Sequence, residues 1–299
     1  ENDLFEISSG ENDYRARFVE EAQVTGQLEH PNIVPVYDFG EQDGQPYLVM
    51  RYMGGGPLTE RIKPGPLPGG EIAQILERIA SALEVAHRAG IIHRDIKPAN
   101  ILFDAHDYAY LSDFGIVKLT ESTAQLTGSG FVGTPFYMAP EMSEPGGLSP
   151  LVDVYALGVT LYQMLTARLP FEADTPLGVI MAHATRPIPD VRAHRPDLTE
   201  TMQLVILKAM AKEPVNRYQS ATALAEGFEA ALKGKTVERP RAARPPVSTV
   251  VEQAPPPPEP SMTRRAPADV TPPLPAAGPP PASPPRRKKR RFPIGLAAI

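Results

Sequence analysis

His93-Arg94-Asp95-Ile96-Lys97-Pro98-Ala99-Asn100 is the stretch on which the reading of this sequence turns. Thirteen residues after Asn100 stands Asp113-Phe114-Gly115, and twenty-four after Gly115 stands Ala139-Pro140-Glu141. Five fixed residues in an eight-residue window arise by chance in roughly one chain of this length in ten thousand, at about 1/20 per position. Residues of these types suit phosphoryl transfer. That reaction needs metal ligands on the phosphates, a group that orients the attacking hydroxyl, and positive charge on the transferring group. Asp95 is a carboxylate fit to accept a hydroxyl proton, and Lys97 places a cation two residues on. Asn100 and Asp113 offer hard oxygen ligands suited to Mg²⁺. A lone Asp reads as a turn or cap residue; in this company the functional reading prevails.

Outward from this centre, the pattern predicts an α+β domain. A helix is expected over Tyr14–Leu28, then strands over Ile33–Tyr37 and Tyr47–Met50 around the turn Glu41–Gly44. Gly54-Gly55-Gly56-Pro57 ends that unit. Apolar residues at helical spacing predict a helix over Glu71–Ala89, stopped by Gly90. Short strands follow at Ile101–Phe103 and Tyr108–Leu111, positioned so that a hairpin returns Asp113 beside Asn100. Residues 115–140 read as a long functional loop. Val152–Leu165 is apolar on nearly all sides and predicts a buried helix. Two more helices are expected over Thr199–Ala211 and Ser220–Leu232. Strands followed by helices suggest two lobes.

The chain has 299 residues and a net charge of −5, but its two parts differ. Residues 235–299 carry twelve Lys or Arg against four acids, a net +8, which leaves −13 for the first 234 residues. The same 65 residues hold 18 of the 36 prolines, too little apolar bulk to offset chain entropy. The acidic body argues against nucleic-acid binding. The lack of cysteine excludes disulfides, thiolate metal sites and a cysteine nucleophile.

On these motifs the sequence resembles the eukaryotic-type (Hanks-type) serine/threonine protein kinases, of the bacterial receptor kind, from about Tyr14 to Leu232. The resemblance implies a two-lobed kinase fold: a partial N-lobe over 1–56 and a mainly helical C-lobe over 57–234. It implies ATP and Mg²⁺ as cofactors and proteins bearing Ser or Thr as substrates. Asp95 matches the catalytic base, Asn100 and Asp113 the Mg²⁺ ligands, and Lys97 the residue that favours Ser/Thr over Tyr kinases. Thr134, in Gly133-Thr134-Pro135, matches a substrate-loop residue bonding to Asp95 and Lys97. His93, Phe114 and Gly115 match packing residues of the active centre. Glu141 is expected to pair with Arg217, and Asp153 to bond the catalytic-loop backbone. Met50 falls at the back of the ATP pocket, and Arg51-Tyr52-Met53 matches the hinge that reads adenine through backbone groups. Arg51 is a departure, since that place is usually acidic. Glu21, with Glu20 as its competitor, matches the helix glutamate that pairs with an upstream lysine. Arg94 matches a cation that awaits an activation-loop phosphate, for which Thr127 or Ser129, then Thr123, are the candidate acceptors.

Two family parts are missing. No Gly-rich loop precedes Glu21, and no lysine precedes Lys63. Either the chain begins just downstream of them or it is a catalytically inactive pseudokinase scaffold. The first alternative is the expectation, with weak activity for the chain by itself. A small-molecule kinase and a proline-rich adaptor are lesser alternatives. Residues 235–285 read as a disordered Pro-rich linker. Arg286-Arg287-Lys288-Lys289-Arg290-Arg291 precedes apolar Phe292–Ile299, eight residues where a span needs about 20. That pairing reads as a basic juxtamembrane run on anionic lipid and the start of a single transmembrane helix, with the kinase cytoplasmic. A homodimer for autophosphorylation is a further expectation.

Overall fold

The computed structural model describes residues 28–42, 45–114, 135–143 and 146–235. The chain divides between Pro245 and Pro246, and every described residue belongs to the first unit. The expected helix over Tyr14–Leu28 and the whole tail lie outside the described residues.

Two strands, β1 (Val36–Gln42) and β2 (Gln45–Met50), form an antiparallel pair running from Val36↔Met50 to Gln42↔Gln45. The first strand therefore starts three residues later than Ile33 and runs through Glu41, which was expected in the turn. The shift has a local cause. Pro35 has no N–H to give to a ladder. The residues before it turn to another partner: Val34 N donates to Leu111 O at 2.9 Å, and Leu111 N donates to Asn32 O at 2.8 Å. Ile33 and Val34 are buried there.

The second sheet has the order β3 (Gly56–Pro57), β4 (Ile101–Phe103), β5 (Ala109–Leu111), all antiparallel. Glycine is required at position 55, where a Cβ would lie 2.5 Å from the Asp104 carbonyl oxygen.

The helices are α1 (Leu58–Ile62), α2 (Gly69–Arg88), α3 (Leu151–Thr166), α4 (Pro176–Thr185), α5 (Glu200–Ala209) and α6 (Ala221–Leu232). In α2 the apolar stripe Ile72, Ile75, Leu76, Ile79, Leu83 is buried, as its spacing predicts. In α3 nearly every side chain is buried, which makes this helix the centre of the core. Gly158 allows α5 to approach it, since a Cβ there would lie 2.8 Å from that of Ala209. Side chains of Thr175, Thr199 and Ser220 cap α4, α5 and α6 by accepting from Gly178, Met202 and Ala223 amides. The expected long loop ends earlier than Pro140, because Pro135–Tyr137 forms a 3₁₀ turn.

Candidate active site

The segment His93–Asn100 hangs from the first turn of α3. Asp153, fully buried, accepts from His93 N and Arg94 N, each at 2.8 Å, and its Oδ2 lies 2.8 Å from His87 Nε2. These bonds hold Arg94 at φ 65°, a left-handed conformation that non-glycine residues seldom adopt. Backbone strain of this kind is sustained only where the surroundings over-determine it. The His93 ring fixes the next step. Asp95 N donates to its Nδ1 at 3.2 Å, so the ring proton sits on Nε2, which donates to Ser112 O at 2.8 Å. Burial pushes the His93 pKa down, against the opposing pulls of Asp153 and the Ser112 carbonyl. The ring stays neutral and packs against Phe114 at a tilt of 49°, with centroids 4.7 Å apart.

Asp95 faces Lys97 and Asn100. Lys97 Nζ donates to Asp95 Oδ2 at 2.7 Å. Asn100 Nδ2 donates to the Asp95 carbonyl at 2.8 Å and to Oδ2 at 3.0 Å. With its amide nitrogen so engaged, Asn100 keeps its Oδ1 as its accepting end. A 3₁₀ turn, Pro98–Asn100, leads directly into β4. The hairpin of β4 and β5 then returns the chain, as the motif spacing predicts. Ser112 closes it: its N–H and Oγ both donate to Asn100 O, at 2.9 and 3.1 Å. Ser112 Oγ is also 3.2 Å from Asp113 Oδ2. Asp113 itself has φ 58°. Half-buried Asp95 and Lys97, buried Asn100 and exposed Asp113 thus come together in one cluster, with His93, Phe114 and Asp153 buried beside it.

A family model described as protein kinase domain matches residues 5–228. The chain belongs to the protein kinase family. Its relatives include the serine/threonine-protein kinase pkn3 of Myxococcus xanthus, 41% identical over 76% of this chain and 43% of that protein. PrkC of Bacillus subtilis is 38% identical over 75% of this chain and 34% of its own length. PknE of Mycobacterium bovis is 40% identical over 80% and 42%. The chain spans less than half the length of these curated relatives. Among solved structures, Rad53 residues 1–466 in complex with AMP-PNP matches with a TM-score of 0.59 and 29% identity, over 71% of this chain and 54% of that one. The mixed sheet-and-helix architecture is that of the kinase fold.

Within this kinase domain, Met50 ends β2 and pairs with Val36. Arg51 N donates to the Pro35 carbonyl at 3.0 Å, so that amide is already engaged. Met53 is buried, and its carbonyl accepts from Gly56 N at 3.2 Å. Glu141 and Arg217 lie apart from the cluster and bond to each other bidentately, at 2.5 and 2.7 Å. Glu21, Gly115, Thr123, Thr127, Ser129 and Thr134 lie outside the described residues. Three contributors were missed in the sequence: Ser112, His87 and Asp104. Ser112 had a signal, since it directly precedes Asp113 and its hydroxyl is small enough to bridge the two strand ends. His87, at the polar end of an otherwise apolar stripe, had none.

Proposed function

We propose that the full protein is a serine/threonine protein kinase, and that the cluster around Asp95 transfers the ATP γ-phosphoryl to a protein Ser or Thr hydroxyl. The observation that carries this reading is the convergence of Asp95, Lys97 and Asn100 on one carboxylate oxygen, with Asp113 joined to Asn100 through Ser112. The substrate hydroxyl oxygen forms the new bond to the γ-phosphorus. The bond from that phosphorus to the bridging oxygen breaks, ADP leaves, and the hydroxyl proton passes to the Asp95 carboxylate. Lys97 holds that carboxylate and sets positive charge beside the transferred group.

The donor set fits Mg²⁺, which binds through one or two protein oxygens together with phosphates and water. Asn100 Oδ1 and the Asp113 carboxylate are the residues that would hold it. The ion would neutralise charge on the phosphate oxygens. Among the described residues no group of three or more His, Cys, Asp or Glu side chains could hold a metal ion. Adenine would lie against the hinge, Arg51 to Met53, with Met50 behind it. The complex of the similar Rad53 chain with AMP-PNP supports ATP binding.

Two further parts of the reading concern regulation and location. Arg94 Nε is buried without a hydrogen-bond partner among the described residues, which supports its reading as a cation kept for a phosphate on Thr123, Thr127 or Ser129. Replacing these three with Ala is expected to lower the activity of the purified full-length enzyme; unchanged activity would remove that role. The run Arg286–Arg291 is read as a lipid-binding juxtamembrane segment, with the kinase on the cytoplasmic side. No helix among the described residues is long and apolar enough to cross a membrane. Flotation of the full-length protein with phosphatidylserine vesicles, and its loss on changing the six cations to Ser, tests the lipid contact.

The deciding experiment is transfer of label from Mg-ATP by the full-length protein beside its Asp95→Asn version. Label on Ser and Thr is expected, falling about 10²- to 10⁴-fold in the variant. A folded wild-type protein that neither binds ATP nor transfers label overturns the reading.

A further inference from the structure

The side chain of Arg51 leaves the hinge and reaches the β4–β5 hairpin. Its Nη1 donates to Tyr110 Oη at 3.4 Å, and its guanidinium lies 5.4 Å from the Tyr110 ring centroid. The Tyr110 hydroxyl in turn donates to Asp104 Oδ2 at 3.3 Å, and Arg51 Nη2 stands 3.8 Å from the same oxygen. Asp104 is a firm anchor. It is buried, and its Oδ1 accepts from the amides of His106 and Tyr108 at 2.9 and 3.0 Å. The exposed His106 ring, 4.0 Å away, is the other basic group on this carboxylate.

The hinge is fastened to the same hairpin a second time. Gly55 N donates to Phe103 O at 2.8 Å, and Gly56 and Pro57 pair with Phe103 and Leu102. Arg51 therefore closes a bracket: one end of the segment is held by a side chain, the other by backbone, with Tyr52 and Met53 between. The base of this hairpin carries Asn100 just before β4 and Asp113 just after Ser112. Leu102 pairs with Tyr110, one register step from the Ile101↔Leu111 pair beside those two residues.

We propose that Arg51 is a positioning residue for nucleotide. Through Tyr110 and Asp104 it sets the register between the backbone that meets adenine and the hairpin whose base carries Asn100 and Asp113. This rests on the ATP-site reading above. Loss of the tether is expected chiefly to raise the KM for ATP.

The test uses the full-length kinase. Arg51→Ala is expected to raise the KM for ATP about three- to five-fold, the range of a partly exposed ion pair. Arg51→Glu, which sets a carboxylate against Asp104, raises it further, and Arg51→Lys restores part of the loss. Tyr110→Phe added to Arg51→Ala worsens nothing further, because both cut the same link. Amide hydrogen exchange supplies a readout free of nucleotide: Gly55 N–H exchanges faster in Arg51→Ala than in the wild type. Unchanged exchange overturns the tether whether or not ATP binds. Faster exchange with an unchanged KM overturns its role in nucleotide positioning. A wild-type protein that binds no ATP fails the kinase reading instead, and the exchange result still decides the tether.

Discussion

Arg217 uses all five of its N–H donors, whereas the buried Arg94 Nε has no acceptor among the described residues. Arg217 donates to both oxygens of Glu141 and to the carbonyls of Ala211, Leu151 and Lys212, all within 3.0 Å, and its guanidinium lies over the Tyr155 ring. Its side chain is fully buried. Arg94 stands in a strained backbone conformation, and among the described residues its Nε has no partner. A buried charge is tolerated when it is fully paired, and removing one partner then costs a great deal. The first site is thus part of the scaffold, while the second keeps a buried donor to which no other described residue supplies an acceptor.

The largest effect expected from this contrast is at the paired site. Arg217→Ala should cost about 3–5 kcal/mol of stability, because it strands Glu141 and three carbonyls. A urea titration checks this, and a loss under 1 kcal/mol would erase the contrast. Acid should strike the same region next. His183 is buried beside Lys212, whose carbonyl binds Arg217; burial first, and the Lys212 charge second, push its pKa down to about 4. Its Nδ1 lies 2.8 Å from the Tyr155 hydroxyl. A folded pKa below the ordinary 6.5 means that the unfolded chain binds the proton more readily. Stability is therefore full above about pH 6.5 and is lost as pH falls toward about 4. Between pH 7 and 5 the loss should be about 2 kcal/mol, and His183→Gln should flatten most of that slope. His93, also held neutral by burial, would supply what remains.

A smaller effect is expected from Glu141→Gln, about 1–3 kcal/mol, since three carbonyls still hold the guanidinium. The smallest is at the unpaired site. Arg94→Gly should leave stability unchanged or raise it by up to about 1 kcal/mol, because glycine accepts a positive φ without penalty. In the full-length enzyme the same variant should lose its dependence on loop phosphorylation. A large destabilisation would show that Arg94 is as structural as Arg217.

The parts legible in the sequence were those carried by repeated or paired signals. The amphipathic stripe of α2 gave its limits to within two residues, and the apolar α3 was found as a buried helix. The spacing between Asn100 and Asp113 correctly implied a returning hairpin. Two misses have physical causes. Helix α4 is apolar on most positions, so periodicity was silent, although Thr175-Pro176 was a start signal that went unread. Pro35 moved the start of β1, an effect of a missing donor that strand propensity does not weigh. Helix α3 stops at Thr166, one residue past the expected Leu165, with Ala167 at φ 56° as its cap. At the site, residue types announced Asp95, Lys97, Asn100 and Asp113. The bracket made by Arg51, Tyr110 and Asp104 was not legible, because it depends on where three side chains point.

The bonds from Asp153 to the backbone of His93 and Arg94 have a consequence for the order of events during synthesis. The anchor lies sixty residues downstream of the segment it shapes. At about 5–20 residues per second, a ribosome delivers it roughly 3–12 s after His93 is made. Throughout that interval the left-handed turn at Arg94 has nothing to hold it, and the Asp95 carboxylate has no fixed direction. In a nascent chain this segment therefore takes its shape only after helix α3 has left the ribosome and docked.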